Sequence, residues 1–236
     1  MSSSLSSILS ELKRLGDPVN VAGMARFGIT ARHALGVSAT PLRALARRVG
    51  RDHALAQELW DSGIFEARIL AAFIADPARL TRRQAGAWAR DFECWADCDG
   101  VCIHLFRKTP FAHELARAWS RRRQELVKRA GFTLMATLAV HGKSAEDTVF
   151  RGYLERVREE STDERHNVKK GVNWALRQIG KRNRALNRAA IRMAERIREQ
   201  DSRAARWIAA DALRELNPHK FNRPGGARLR RALSEI

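Results

Sequence analysis

Turn-forming residues cut this chain at short, similar intervals, and almost nothing between the cuts reads as strand. The breaks are Gly16-Asp17-Pro18, Thr40-Pro41, Asp76-Pro77, Thr109-Pro110, His141-Gly142, Gly180-Lys181-Arg182-Asn183 and Asn217-Pro218. The stretches between them are dominated by Ala, Leu, Arg and Glu, which lose little side-chain freedom in a helix. Alternating apolar and polar residues are sparse and the chain holds one tyrosine, so a sheet has little to be built from. The expected fold class is all-α. Thr40 and Thr81 read as helix starts, with Thr40 as N-cap and Pro41 at the first helical position, where a missing N–H costs nothing.

A weak repeat runs through the same stretches. Phe65-Glu66-Ala67-Arg68-Ile69-Leu70-Ala71, Leu126-Val127-Lys128-Arg129-Ala130-Gly131-Phe132, Val168-Lys169-Lys170-Gly171-Val172 and Ala204-Ala205-Arg206-Trp207-Ile208 each set a cation near the start of an apolar helical run. With Arg68, Asp99, Arg129, Lys170 and Arg206 as anchors, the spacings are 31, 30, 41 and 36 residues. That period suits a HEAT-like or ARM-like solenoid, in which helical pairs too small to bury their own apolar faces stack on one another. One helix per pair would line a concave surface, so that Asp99, Arg129 and Lys170 converge on one groove. Chance recurrence in an Arg/Ala-rich chain is the competing explanation. The domain reading is a single α-solenoid over 1–236 with its core at about 20–216. Residues 217–236, with Arg223, Arg228, Arg230 and Arg231 among Pro and Gly, read as a mobile basic extension.

Charge narrows the partner. The net charge is +18, and it is uneven. Residues 1–118 hold 16 Lys and Arg against 12 Asp and Glu, and residues 119–236 hold 28 against 14. Such an asymmetry points to nucleic acid or another polyanion, unless it only mirrors the base composition of a genome. With 44% hydrophobic residues a substantial core is available. No apolar run is long enough for a membrane span and the N-terminus has no signal-peptide pattern, so a cytoplasmic location is expected.

The segment Cys94-Trp95-Ala96-Asp97-Cys98-Asp99 carries the sharpest chemistry. Positions i and i+4 of a helix share a face, so Trp95 and Asp99 would project together. A carboxylate beside an indole, on a protein suited to polyanions, can stabilise positive charge close to a phosphate backbone. Asp99 could equally be the acid of a helix salt bridge. Trp174, one turn after Lys170, could face Trp95 across a cleft, although core burial is the commoner fate of a tryptophan. Trp60, Trp88, Trp119 and Trp207 are assigned to packing. Cys94, Cys98 and Cys102 stack along one helical face. Three thiols on one rigid helix do not converge tetrahedrally on zinc, and packing is the better reading. No metal-ligand spacing, no phosphate-binding glycine loop and no nucleophile context appears, so neither metal nor cofactor is expected.

Leu35-Gly36-Val37, Thr40-Pro41-Leu42-Arg43, Trp95-Ala96-Asp97-Cys98-Asp99, Lys128-Arg129-Ala130 and Lys170-Gly171-Val172-Asn173-Trp174-Ala175-Leu176-Arg177 resemble, in order, the AlkD-type DNA alkylation repair glycosylases, a family of HEAT-like repeat enzymes. The resemblance covers about residues 20–216. It implies a C-shaped stack with a basic concave groove around duplex DNA, and hydrolytic excision of cationic 3- or 7-alkylated purines without a base-reading pocket. It also implies no metal or redox cofactor. Asp99 matches the catalytic aspartate, and Trp95 and Trp174 match the tryptophans beside the damaged nucleotide's sugar. Arg129 matches an arginine holding the backbone near the lesion. Thr40 and Arg43 match the start of a phosphate-binding helix, and Lys128, Lys170 and Arg177 fall in matched segments as DNA-binding cations. Ala96 and Gly100 depart from the family pattern.

Three functions follow as expectations. The first is a monomeric glycosylase acting on double-stranded DNA that contains alkylated bases. The second is a non-catalytic helical-repeat binder of bent, branched or damaged DNA. The third is a protein-binding scaffold, which a burial of both Trp95 and Trp174 would favour.

Overall fold

Short polar side chains decide where these helices begin, because the first N–H groups of a helix have no partner inside it. The computed structural model describes residues 4–218 and Phe221. Among them run thirteen α-helices and no strand: α1 (Leu5–Leu15), α2 (Pro18–Met24), α3 (Ala39–Val49), α4 (His53–Asp61), α5 (Phe65–Ile74), α6 (Arg82–Arg90), α7 (Trp95–His104), α8 (Ala112–Trp119), α9 (Glu125–His141), α10 (Asp147–Glu159), α11 (His166–Gly180), α12 (Arg184–Arg198) and α13 (Arg203–Leu216). Single 3-10 turns follow α2 (Ala25–Phe27) and α7 (Phe106–Lys108). Ser4, Asp17, Asp52, Thr81, Asn183 and Ser202 each accept a hydrogen bond from a backbone N–H two or three residues on. Thr81 therefore caps α6 as expected. Thr40 does not cap α3: that helix begins at Ala39 with Ser38 as N-cap, so Thr40 and Pro41 lie inside its first turn. Proline is tolerated there because the early N–H groups lack intrahelical partners anyway.

The repeat is visible in the helices. Arg68, Asp99, Arg129, Lys170 and Arg206 are the fourth or fifth residues of α5, α7, α9, α11 and α13, one in every second helix. Hydrogen bonds recur at the same separation. Trp60 Nε1 donates to Asp91 and Trp88 Nε1 to Gln57, both 31 residues apart, and Asn173 Nδ2 donates to the Ile208 carbonyl 35 residues on. Within each of the two compact units described below, a helical pair thus contacts its successor, as stacking of a HEAT-like repeat demands.

The chain divides into two compact units, residues 1–130 and 131–236. In the first, Trp60 and Trp88 stack with parallel rings 4.2 Å apart, and Phe92, Phe106 and Trp119 continue the cluster edge-on or tilted. Such ring pairs contribute about 0.5–1.5 kcal/mol beyond their buried area. In the second, Phe150, Tyr153, Val168, Val172, Leu176, Ile197, Ile208 and Leu216 are almost completely buried. The expected basic extension of 217–236 lies outside the described residues except for Asn217, Pro218 and Phe221. No helix among the described residues is long and apolar enough to cross a membrane.

Candidate functional site

Helix α7 is set in place by an acid in its own first turn. The Asp97 carboxylate accepts the N–H groups of Glu93 (2.9 Å), Cys94 (3.1 Å) and Cys98 (2.8 Å), the returning half of a capping box. Burial pushes the Asp97 carboxyl above its usual range, against the pull of those hydrogen bonds. Gly100 lets α7 lie close to α5, since a Cβ there would sit 3.1 Å from Ile69 Cδ1. The cysteine face meets α9. Cys98 Sγ donates to the Leu126 carbonyl (3.4 Å) and Cys102 Sγ to that of Ala130 (3.8 Å). Burial raises the Cys98 thiol, with Cys102 and Asp99 adding to it, and burial with the Asp97 charge takes Cys94 up to about 11. Thiols held protonated are poor nucleophiles and poor metal ligands, so packing accounts for Cys94 and Cys98; Cys102 is fully buried beside them.

The carboxylate one turn further on has a different partner. Asp99 is 8% exposed and Arg129 is 7% exposed. Arg129 Nε donates to Asp99 Oδ1 (2.9 Å) and Nη2 to Oδ2 (2.6 Å), a bidentate pair between α7 and the start of α9. Burial alone would lower the Arg129 pKa; the hydrogen bonds and charge of Asp99 overcome it and raise the value, so the guanidinium stays charged. Trp95 shares the Asp99 face by helical spacing, is half-buried, and donates Nε1 to the Phe27 carbonyl at 2.8 Å.

The other expected site residues fall in varied settings. Thr40 and Arg43 are exposed on the first turns of α3, whose N-cap side chain makes no capping bond. Burial, then the charges of Lys108, Arg43 and Arg107, push His104 down to about 4, which places Arg43 in a cationic neighbourhood. Lys128, expected as a DNA-binding cation, is buried. Lys170 is exposed, with Nζ 4.5 Å from the centroid of the Trp207 ring, and Lys169 Nζ approaches the same ring at 5.4 Å. Trp174 is half-buried, and its Nε1 meets the side-chain oxygen of Gln178 at 3.1 Å, with that amide turned to face it. Arg177 departs from the expectation of a phosphate contact: it is ion-paired with Glu215 (2.8 Å) and Asp211 (3.5 Å) of α13. A cation held by two carboxylates fastens helices together and offers little net charge to DNA.

Three residues matter that the sequence reading passed over. Asp97 was legible, since Cys94-x-x-Asp97 has capping-box spacing. Trp207 was assigned to packing but is half-buried beneath two lysines. Glu66 is 2% exposed and accepts the N–H groups of Leu35 (2.8 Å), Gly36 (2.6 Å) and Val37 (3.3 Å). Gly36 has φ +79° and a Cβ there would lie 2.2 Å from the Asp17 carbonyl oxygen, so the turn needs glycine. The glycine of Leu35-Gly36-Val37 is legible as a turn former; its carboxylate partner one repeat away carries no pattern.

Stacked helical pairs in an all-α chain define a HEAT-like repeat protein. The family of DNA alkylation repair enzymes matches residues 8–216, and the chain belongs to that family. A solved structure with 19% sequence identity superposes with a TM-score of 0.76 over 91% of this chain and 96% of its own. It represents a new family of proteins related to the HEAT-like repeat DNA glycosylases, with affinity for branched DNA structures. No curated protein matches the chain.

Proposed function

We propose that the protein is a monofunctional DNA glycosylase that hydrolyses the N-glycosidic bond of 3- or 7-alkylated purines in duplex DNA. The observation that carries this reading is Asp99: a nearly buried carboxylate, fixed in orientation by two hydrogen bonds from Arg129, on the same helical face as the half-buried Trp95. An alkylated purine of this kind is already cationic, so its departure needs no general acid. The bonding pair of the C–N bond goes to the base, which leaves neutral, and positive charge moves to the sugar. A fixed carboxylate stabilises that charge by about 4 kcal/mol at roughly 4 Å in a medium of effective dielectric ~20. Asp99 then takes a proton from the water that adds to the sugar carbon. Trp95 and Trp174 supply indole faces, each attracting the electron-poor sugar by about 0.5–2 kcal/mol. Selectivity comes from the lability of the lesion, so no pocket that reads base edges is required. Lys170, Arg43, Thr40 and the start of α3 contact phosphates. Arg129 orients the acid. The chain acts as a monomer in the cytoplasm.

A second reading has its own support. Arg129 engages both oxygens of Asp99, which dampens the acid's field, and the solved structure described above belongs to a family with affinity for branched DNA. On that reading the chain binds bent or branched DNA and excises nothing. The deciding experiment incubates methylated duplex DNA with the protein and quantifies free base. The glycosylase reading expects 7-methylguanine or 3-methyladenine in solution at enzyme-dependent rates. Tight, salt-sensitive binding without any released base gives the second reading the field.

A further inference from the structure

We propose that the cavity between the 28–33 loop, the first turn of α5 and the turn joining α6 to α7 binds a single phosphate group, with Arg32, Arg68 and Arg90 as its ligands. The cavity has a volume of about 320 Å³, and its walls include Thr30, the three arginines, Asp91 and Glu93. That volume lies within the range of small-molecule sites. Three guanidiniums from three separate segments meet there.

The arginines are held in place, yet much of their hydrogen-bonding capacity is unspent. The Arg68 guanidinium lies over the Trp60 ring, 5.3 Å from its centroid. Its Nη1 donates to the Asp91 carbonyl (3.1 Å) and sits 3.5 Å from Glu93 Oε1, while Nη2 donates to nothing among the described residues. Arg32 Nε lies 3.4 Å from the same Glu93 oxygen, and its side chain is 80% exposed. Arg90 is exposed, and no carboxylate among the described residues pairs with it. The Thr30 hydroxyl is also without a hydrogen-bond partner among them.

The two acids are already engaged. Glu93 Oε2 accepts the Arg32 backbone N–H (2.7 Å), and Asp91 Oδ2 accepts Trp60 Nε1 (2.9 Å). Fastening the loop to α5 needs Glu93 and one guanidinium. Three arginines around one cavity repel one another, and two carboxylates leave one positive charge in excess. A cation is therefore turned away. A carboxylate ligand brings only two oxygens to three arginines. Phosphate brings oxygens enough for several guanidinium forks at once, and its singly charged forms close the balance.

The cavity also borders the start of α7. Glu93, whose own N–H is held by the Asp97 carboxylate, precedes Trp95 by two residues, at most about 7 Å of chain. A DNA strand carries a phosphate about every 3.4 Å of helix axis. A strand lying against Trp95 thus brings a phosphate within reach. That source rests on the DNA reading above; the affinity for phosphate does not.

The test is a calorimetric titration of the full chain with sodium phosphate at neutral pH, with sodium chloride at the same ionic strength as reference. A saturable site of millimolar affinity is expected for phosphate alone. Arg32→Gln and Arg90→Gln, both at exposed positions, are each expected to weaken it about three- to fivefold, and the double variant at least ~10-fold. Arg79 is exposed in the loop between α5 and α6, and Arg79→Gln is expected to change the affinity by less than about twofold. A titration no different from chloride, a double variant that binds like wild type, or a loss as large in Arg79→Gln as in Arg90→Gln overturns the proposal. A second titration, on protein saturated with unmodified duplex DNA, names the source. Loss of the phosphate site assigns it to the backbone of a strand, and an unchanged site assigns it to a free phosphate or phosphate ester. No alkylated base enters either titration, so failure of the phosphate site and failure of the glycosylase reading are told apart.

Discussion

Arg129 and Lys170 hold the same place in their helices, the fifth residue of α9 and of α11, yet their surroundings differ. Arg129 is nearly buried and grips the Asp99 carboxylate through two hydrogen bonds. Lys170 is exposed and rests 4.5 Å from the centre of the Trp207 ring. A carboxylate partner fixes a cation and cancels most of its charge. An indole partner fixes it and leaves the charge intact, because the ring offers only a quadrupole. One repeat position has thus been put to two ends. Around α7 and the start of α9 it holds the Asp99 carboxylate in place; around α11 and α13 it presents positive charge to solvent. Arg177 makes the contrast again within one helix, since its pairing with Glu215 and Asp211 makes it a fastener while Lys170 remains a free charge.

The difference has measurable consequences. Arg129→Ala leaves Asp99 buried without its guanidinium and should destabilise the fold by about 3–5 kcal/mol in denaturant unfolding. A loss under about 1 kcal/mol would mean that water, not Arg129, satisfies the acid. Lys170→Ala should move stability by less than about 1 kcal/mol, but should flatten the slope of log K against log salt for duplex DNA by roughly 0.9, the loss of one phosphate contact. An unchanged slope removes Lys170 from the interface. Trp207→Leu keeps both lysines but lets them wander. DNA affinity should fall a few-fold at constant slope, whereas a reduced slope would show that Trp207 does more than position them.

The smallest effect concerns the cationic neighbourhood of Arg43. His104 is held near 4 in the fold by burial and by Lys108, Arg43 and Arg107, against about 6.5 in an unfolded chain. The unfolded state therefore binds the proton more readily. The contribution of the neutral imidazole is whole above about pH 6.5 and is lost as the pH falls towards 4. The melting temperature should drop between pH 7.5 and 5, and less so in His104→Gln. Equal drops in both proteins would assign the acid sensitivity elsewhere.

Much of this was legible before any coordinates. The breaks at Asp76-Pro77 and Thr109-Pro110 fall between helices, and Gly180–Asn183 closes α11 and leads into α12, because proline, glycine and capping side chains act locally. The anchor spacing revealed the repeat because equivalent positions must meet across stacked pairs. Local rules failed where more than one residue could serve. Ser38 and Thr40 are both competent caps; the helix starts after the earlier one, and neither side chain decides it by a capping bond, since that of Ser38 makes none. Burial was the least readable quantity. Lys128 and Lys170 look alike in sequence, and only packing puts one inside and one outside. The Glu66 contact with the 35–37 turn and the Trp95 contact with Phe27 join segments about 30 and 68 residues apart, with no pattern to announce either. Arg129 was read as a phosphate ligand; its grip on Asp99 follows from the same 30-residue period that placed both on successive repeats.

The role assigned to Asp99 is best judged by single-turnover excision from a duplex containing one 7-methylguanine, comparing wild type with Asp99→Asn at saturating protein. The carboxylate mechanism predicts a rate at least ~100-fold lower, about 2.7 kcal/mol of barrier, with DNA affinity changed by no more than a few-fold. Equal rates in the two proteins would contradict it and leave Asp99 as an anchor for Arg129 alone.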